Sequence, residues 1–509
     1  MNIAPSPLQT PNTPAQTTSL QSTPSATPDN AATTKIIFSD NNTKNQHYSE
    51  LTPDHEGKPF TSRSVVLIET TDKADTLNIT LGINNKLTAY INGKSYTLPL
   101  TANGVDHGLE IRALGGNDKV SIDPRISITV KILGGGGNDL ITAGGGNTQI
   151  EGGSGNDYIR LGSGVGVAHG GDGNDVILAG TGNSSLSGGK GNDQLYAMYP
   201  VSKTSLRQVY LNGDQGNDQL YAGTGRVILN GGTGDDLLIG HHQTTFYTGA
   251  GNDTVKSYSA QDKIYAKQTD TIANTANATT TYVKYIDSGK RGLNIEGTDN
   301  FIEQVEGYIE QLRGSPAGQR MLKELDNLAD KTGAPVTIKL SEFEGVNSYN
   351  FRNAYRDKIT DDEYEKHQHD SGLGYINNNT KGLVSTSAEI SVHPDHFDED
   401  FSISPLLALY HEMAHAYNGG TGTFIPGNRP ITGHDGNPVL IDGQPLTVEN
   451  AEYQAVGLPT DSPPFDFDNN PLTPPTTTNP HPFNENALRA EMGIPLRDRY
   501  LPEETPRIV

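Results

Sequence analysis

Between Gly134 and Tyr196 the chain keeps an unbroken nine-residue register, G-G-x-G-N-D-x-U-x with U apolar, and no other feature limits its possible folds so tightly. The Asp-bearing units are 134–142, 152–160, 170–178 and 188–196, with Asp139, Asp157, Asp175 and Asp193 at the sixth position and Ile141, Ile159, Ile177 and Leu195 at the eighth. The pattern resumes after an insertion with Asp218, Asp236 and Asp253, and Asp118 is an imperfect forerunner 21 residues before Asp139. Glycines at these positions permit tight turns with positive φ. Carboxylate and backbone oxygens are hard ligands suited to calcium, and the apolar eighth residue is the natural core contact. A flexible linker rich in Gly, Asn and Asp does not hold register over seven units or place Ile or Leu at every Asp unit's eighth position.

These units resemble the RTX, or haemolysin-type, nonapeptides, and the resemblance implies a parallel β-roll with Ca²⁺ lying between stacked turns. In such a roll successive units alternate sides, so units 18 residues apart stack. The intervening units carry Thr148, Gly166 and Ser184 at the sixth position, so a calcium column is expected along one edge only. Three gaps fall among the first four Asp turns and two further sites among Asp218, Asp236 and Asp253. Without calcium, carboxylates stacked at about the 4.7 Å strand spacing repel one another, so folding of residues 100–255 is expected to be calcium-linked.

The formal net charge of -23 argues against a nucleic-acid partner and against docking on anionic lipid, both of which need Lys/Arg patches. No apolar run approaches 18 residues and no basic region precedes an apolar stretch at the N-terminus, so neither a membrane span nor a cleavable signal is expected. With no Cys there is no disulfide framework and no cysteine catalysis. The chain divides into five parts: a Ser/Thr/Pro-rich leader (1–33), a β-rich cap region (34–112), the roll (113–256), a connector (257–295) and a C-terminal domain (296–509). The leader lacks apolar anchors, is read as disordered, and resembles the secretion signals of type III effectors. Strands are expected at 64–69 and 87–91, the latter followed by an Asn92-Gly93 hairpin turn. In the C-terminal domain helical periods mark 301–312 and 321–328, and strands are expected at 336–338 and 387–392.

That domain contains His411-Glu412-Met413-Ala414-His415. Two imidazoles one helical turn apart share a face and reach one tetrahedral ion, with Glu412 beside them to hold the attacking water. Ser404 is the expected N-cap, Pro405 the first helical residue, and Gly419-Gly420 the stop. The longer pattern H-E-x-x-H-x-x-G-x-x-H fails at Asn418 and Thr421, so the third ligand comes from farther along. A second helix over 449–456 offers Glu452, followed by Ala455, which resembles the Glu-x-x-Ala ligand helix of glutamate-type zincins; Glu449, one turn earlier, is the competitor. By analogy with zinc proteases, the strand 387–392 is expected at the sheet edge lining the cleft, where a peptide adds as another strand.

The blocks 411–417, 452–458 and 484–493 resemble the NleD-type effector metallopeptidases of bacterial pathogens, a similarity that covers residues 296–509. It implies a zincin-type α+β domain, a Zn²⁺ endopeptidase delivered into host cells, and a host protein substrate such as a signalling kinase. The repeats leave type I and type III export both open. Arg497 and Tyr500 resemble the Arg/Tyr pair that stabilises the oxyanion in clostridial neurotoxin-like zincins; the alternative is that they are surface residues. The sequence thus predicts a multidomain, monomeric, secreted chain: an all-β roll holding Ca²⁺, then a zinc endopeptidase with ligands His411, His415 and Glu452 and general base Glu412. A rival is a calcium-stabilised binding or adhesin protein whose zinc site is inactive or structural.

Overall fold

The computed structural model describes residues 35–500 except 41–42, 54–58, 102–106, 198–206, 342–346, 361–362, 365–368, 395–403, 434–436 and 442, so the leader lies outside the described residues. The nine-residue register becomes two facing parallel sheets. Leu140–Thr142, Tyr158–Arg160, Val176–Leu178 and Gln194–Tyr196 pair in order in one sheet. Thr148–Ser154, Gly166–Asp172 and Ser184–Lys190 pair in order in the other. The eighth residues therefore stack into two inward columns, Ile141, Ile159, Ile177, Leu195, Leu220 and Leu238 facing Ile150, Ala168, Leu186, Leu229, Phe246 and Ile264, each with 0% exposure. Full burial of each such Leu or Ile contributes about 1.5–3 kcal/mol, so the columns are the main cohesion of the roll. The repeat glycines are needed where turns touch. Gly153 sits at φ 111, and a Cβ there would lie 2.0 Å from the carbonyl oxygen of Gly135.

Two expectations about the roll change. The insertion after Tyr196 leaves the stack unbroken, because Ser184–Lys190 pairs directly with Gln208–Gln215 and Gln194–Tyr196 with Gln219–Tyr221. The sheets also run past both expected boundaries. Pro59–Glu69 pairs in parallel with His107–Arg112 and Thr76–Leu81 with Lys119–Ile122, so much of the cap region is part of the roll. At the other end Lys263–Ala266, Thr271–Asn274 and Thr279–Tyr282 extend the sheets through most of the supposed connector. Ile264 and Ile272 continue the apolar columns after the glycine pattern has decayed. The expected hairpin forms: Lys86–Ile91 pairs with Lys94–Thr101 across Asn92 (φ 50) and Gly93 (φ 81).

The C-terminal domain has a four-stranded sheet in the order Leu293–Glu296, Val336–Leu340, Ser387–Val392, Ser348–Arg352. Around it lie helices α1 (Asp299–Gly314), α2 (Pro316–Thr332), α3 (Pro405–Thr421), α4 (Asn450–Val456) and α5 (Glu485–Met492). Ser387–Val392 is an inner strand, contrary to the expectation that it forms the edge. The edge is Ser348–Arg352, which pairs antiparallel with it. Its residues Tyr349 and Phe351, two apart on one face of that strand, stack as rings, and Tyr349 also stacks on His415 of α3. The domain rides on the side of the roll. Tyr210, Ile228 and Tyr247 of the roll share one apolar cluster with Val305, Ile309, Leu312 and Met492 of the helices.

Candidate metal centre and active-site cleft

Helix α3 begins as expected, with Ser404 Oγ accepting from Leu407 N and Pro405 in the first turn. It does not stop at Gly419-Gly420 but runs to Thr421 and is capped by Gly422 in the left-handed conformation. The two glycines serve close packing: a Cβ on Gly419 would lie 2.1 Å from the Tyr349 hydroxyl, and one on Gly420 2.6 Å from Leu328 Cδ1. From Pro405 to Gly419 every residue of α3 is buried, the signature of a helix enclosed on all sides. That enclosure holds His411 and His415 in fixed places.

The ring nitrogens converge. His411 Nε2 and His415 Nε2 are 3.2 Å apart, and the Glu452 carboxylate lies 3.1 Å from the first and 3.3 Å from the second. Tetrahedral zinc with ligands at about 2.0–2.1 Å requires donors separated by about 3.3 Å, so this triangle has the dimensions of one face of such a site. Two imidazole nitrogens aimed at each other and at one carboxylate are better satisfied by a shared cation than by hydrogen bonds alone. The residues present therefore fit a zinc ion, and they form the one group of three or more His, Cys, Asp or Glu with ligating geometry among the described residues.

Glu452 and its competitor are separated by structure. Glu452 is in the first turn of α4, whereas Glu449 precedes that helix as the last residue of strand Thr447–Glu449 and accepts a hydrogen bond from Tyr375 OH at 2.5 Å. Glu412 is 7% exposed and lines the same cleft. Burial raises its carboxyl above the ordinary range, opposed by His415 and His411. Behind the centre stands Glu485, first residue of α5, whose Oε2 lies 3.2 Å from His411 Nδ1. Arg489 Nε donates to Glu485 Oε1 at 2.6 Å and Arg497 Nη1 to Oε2 at 3.0 Å. Burial alone would lower His411, but Glu452 and Glu485 hold it up to about 10. Two anionic carboxylates thus flank one imidazole, a strongly cation-attracting arrangement. The sequence reading gave Glu485 no role; its trace is the Glu485/Arg489 pair four residues apart after the Asn484 cap.

The cleft has a volume of about 340 Å³ and is bordered by Asn347, Ser348, Tyr349 and Phe351 of the edge strand and by Tyr364, Tyr375 and Phe424. Arg497 and Tyr500 also line it, with the guanidinium carbon 5.3 Å from the Tyr500 ring centroid.

The roll holds the second constellation. Asp139 N donates to Asp157 Oδ1, Asp157 N to Asp175 Oδ1, Asp175 N to Asp193 Oδ1, Asp193 N to Asp218 Oδ1 and Asp218 N to Asp236 Oδ1, all within 2.7–2.8 Å. The other oxygen is left over. Oδ2 of Asp118, Asp139, Asp157, Asp175, Asp193, Asp218 and Asp236 is buried without a partner. Each of six first-position glycines opens a cradle beside it; a Cβ on Gly152 would lie 2.4 Å from Asp157 Oδ2 and 2.5 Å from the Gly170 carbonyl oxygen. A row of buried, unpartnered carboxylate oxygens facing carbonyl oxygens fits a column of hard cations. Burial pushes Asp157, Asp193 and Asp236 up to about 7 and Asp218 to about 9. On the opposite edge the turns 143–147, 161–165 and 179–183 lack Asp, and amides hold neighbouring turns together: Asn147 Oδ1 accepts from Val165 N and Asn183 Oδ1 from Gln208 N.

Fold and site together define a two-part chain, a repeat roll of calcium-binding type carrying a domain built around an H-E-x-x-H helix. Residues 289–500 match the peptidase M91 family model, described as an effector protein, and four segments, 132–167, 169–198, 212–241 and 244–268, match the RTX calcium-binding nonapeptide repeat. No curated protein and no solved structure matches the chain. Among the described residues no helix is long and apolar enough to cross a membrane.

Proposed function

We propose that this protein is a secreted zinc endopeptidase that cuts a host protein, with the calcium-binding roll as its platform. The observation that carries the reading is the convergence of His411, His415 and Glu452 on one point, with Glu412 in the same cleft beside a sheet edge. When bound by these three residues, zinc supplies Lewis acidity to a water and to the scissile carbonyl. The substrate strand lies along Ser348–Arg352, where main-chain pairing orients it. Glu412 accepts a proton from the attacking water as its oxygen bonds to the carbonyl carbon, and delivers that proton to the amine nitrogen as the C–N bond breaks. Arg497 and Tyr500 face the cleft and stabilise the negative charge that develops on the carbonyl oxygen. Glu485 keeps His411 Nδ1 occupied so that Nε2 faces the centre.

The rings of Tyr349, Phe351, Tyr375 and Phe424 favour an apolar or aromatic side chain beside the cut bond. A signalling kinase of the host is the substrate class to examine first, and the protein reaches it after secretion and entry into the host cell. The test is mass spectrometry of host proteins exposed to wild type or to Glu412→Gln. Fragments made by wild type alone support the reading, whereas identical fragment patterns leave the chain a calcium-stabilised binding protein.

A further inference from the structure

The two ends of the Asp column are finished differently from its middle. At the N-terminal end Asp75 has both oxygens satisfied by neutral donors: Oδ2 accepts from Thr71 N and Oγ1, each at 2.9 Å, and Oδ1 accepts from Asn92 Nδ2. From Asp118 to Asp236 each turn leaves one buried carboxylate oxygen unpartnered. At the C-terminal end this stops. The next turn begins with Thr248 where six earlier turns have a glycine, and Asp253 Oδ2, the atom left over in those turns, meets Lys267 Nζ at 2.7 Å.

The same ammonium lies 2.6 Å from the Gly249 carbonyl oxygen, 3.4 Å from Thr248 Oγ1 and 3.1 Å from Asp270 Oδ1. Both carboxylate side chains are fully shielded from solvent and the lysine side chain is 15% exposed. One positive charge thus sits among two buried carboxylates, a carbonyl and a hydroxyl. This is the oxygen set that a hard cation takes, supplied here with a covalently tethered one. Asp270 belongs to the column, since Asp253 N donates to its Oδ1 at 3.2 Å.

We propose that the Lys267 ammonium is a built-in cation that closes the Asp column, standing where a divalent ion stands between the preceding turns, so that the last turns of the roll fold without calcium. The placement has a consequence for the C-terminal domain. Lys267 immediately follows Lys263–Ala266, the strand on which α5 docks: Lys263 Nζ donates to the Ala490 carbonyl at 2.7 Å and Tyr265 OH to the Glu491 carbonyl at 3.2 Å. Helix α5 carries Glu485, which braces His411. The part of the roll that holds the active-site helix is therefore stapled by a lysine, and keeps its shape in a compartment where calcium is scarce while the earlier turns await their ions.

The proposal rests on the calcium reading of the roll, and its test separates the two. Calcium bound per full-length chain is counted by equilibrium dialysis for wild type and Lys267→Ala, and hydrogen exchange of the 263–266 amides is followed in EDTA and in millimolar calcium. The expected results are one additional calcium in Lys267→Ala and 263–266 amides that stay protected in wild type in EDTA. In the variant those amides exchange at least about tenfold faster in EDTA and regain protection in calcium. Equal calcium counts in a wild type that does bind calcium, a wild-type strand unprotected in EDTA, unchanged exchange in the variant, or a variant that fails to fold even in calcium would each overturn it. A wild type that binds no calcium speaks against the calcium reading instead, and the EDTA exchange still decides whether Lys267 holds the turn.

Discussion

Glu485 shows how much of the centre depends on a residue outside the ligand set. Its carboxylate is fixed from one side by Arg489 and Arg497 and presents Oε2 to His411 Nδ1 from the other. Such outer carboxylates set ring orientation and ligand basicity, so Glu485→Gln is expected to weaken zinc retention about 10–100-fold in chelator competition without changing the number of ions bound. Glu452→Gln removes a donor and loses more. Glu449→Gln leaves zinc retention close to wild type, because that carboxylate is engaged with Tyr375; a larger loss there than at Glu452 would reassign the third ligand. The pair His411/His415 is readable from sequence because both lie on one helix. Glu452 is readable only to within a turn, since whether residue 449 begins the helix or ends a strand depends on strand Asn428–Pro430, which pairs with Thr447–Glu449.

At the scale of elements, the same residue type serves opposite ends in the two halves of the chain. Roll glycines carry a register visible to the eye, whereas Gly419-Gly420 read as a helix stop and are instead thin places in α3 where Tyr349 and Leu328 press in. Gly419→Ala should therefore destabilise the domain by about 1–3 kcal/mol, measured as a lowered denaturant midpoint, although alanine is the better helix former. In the roll, burial raises Asp157, Asp193, Asp236 and Asp218 above the unfolded value of about 3.9, so the ion-free folded state binds more protons than the unfolded chain. Their contribution is complete below pH about 4 and is lost as pH rises through about 7 to 9. In EDTA the roll should melt at a lower temperature at pH 8 than at pH 5, and saturating calcium should close that gap. A higher EDTA melting temperature at pH 8 would contradict the buried-carboxylate account.

Across the whole molecule, the roll and the C-terminal domain form one packed body, and this was the least legible feature of the sequence. Some of the contacts join residues more than 200 positions apart, such as Thr245 Oγ1 with the Met492 carbonyl at 2.7 Å and Tyr247 OH with Glu491 Oε1 at 3.0 Å. The connector also hid the join, because its strands lose the glycine signature while Ile264 still fills the roll's core. Tyr247→Phe removes one of these hydrogen bonds and keeps the ring, so it should cost about 1 kcal/mol in thermal stability and leave zinc content unchanged. The central claim is that α3 and α4 build a zinc site around His411, His415 and Glu452 with Glu412 outside the ligand set. Zinc per chain, measured by elemental analysis of wild type, Glu412→Gln and His415→Ala, tests it most directly. The expected result is one zinc in wild type and in Glu412→Gln and nearly none in His415→Ala; equal zinc in wild type and His415→Ala would contradict it.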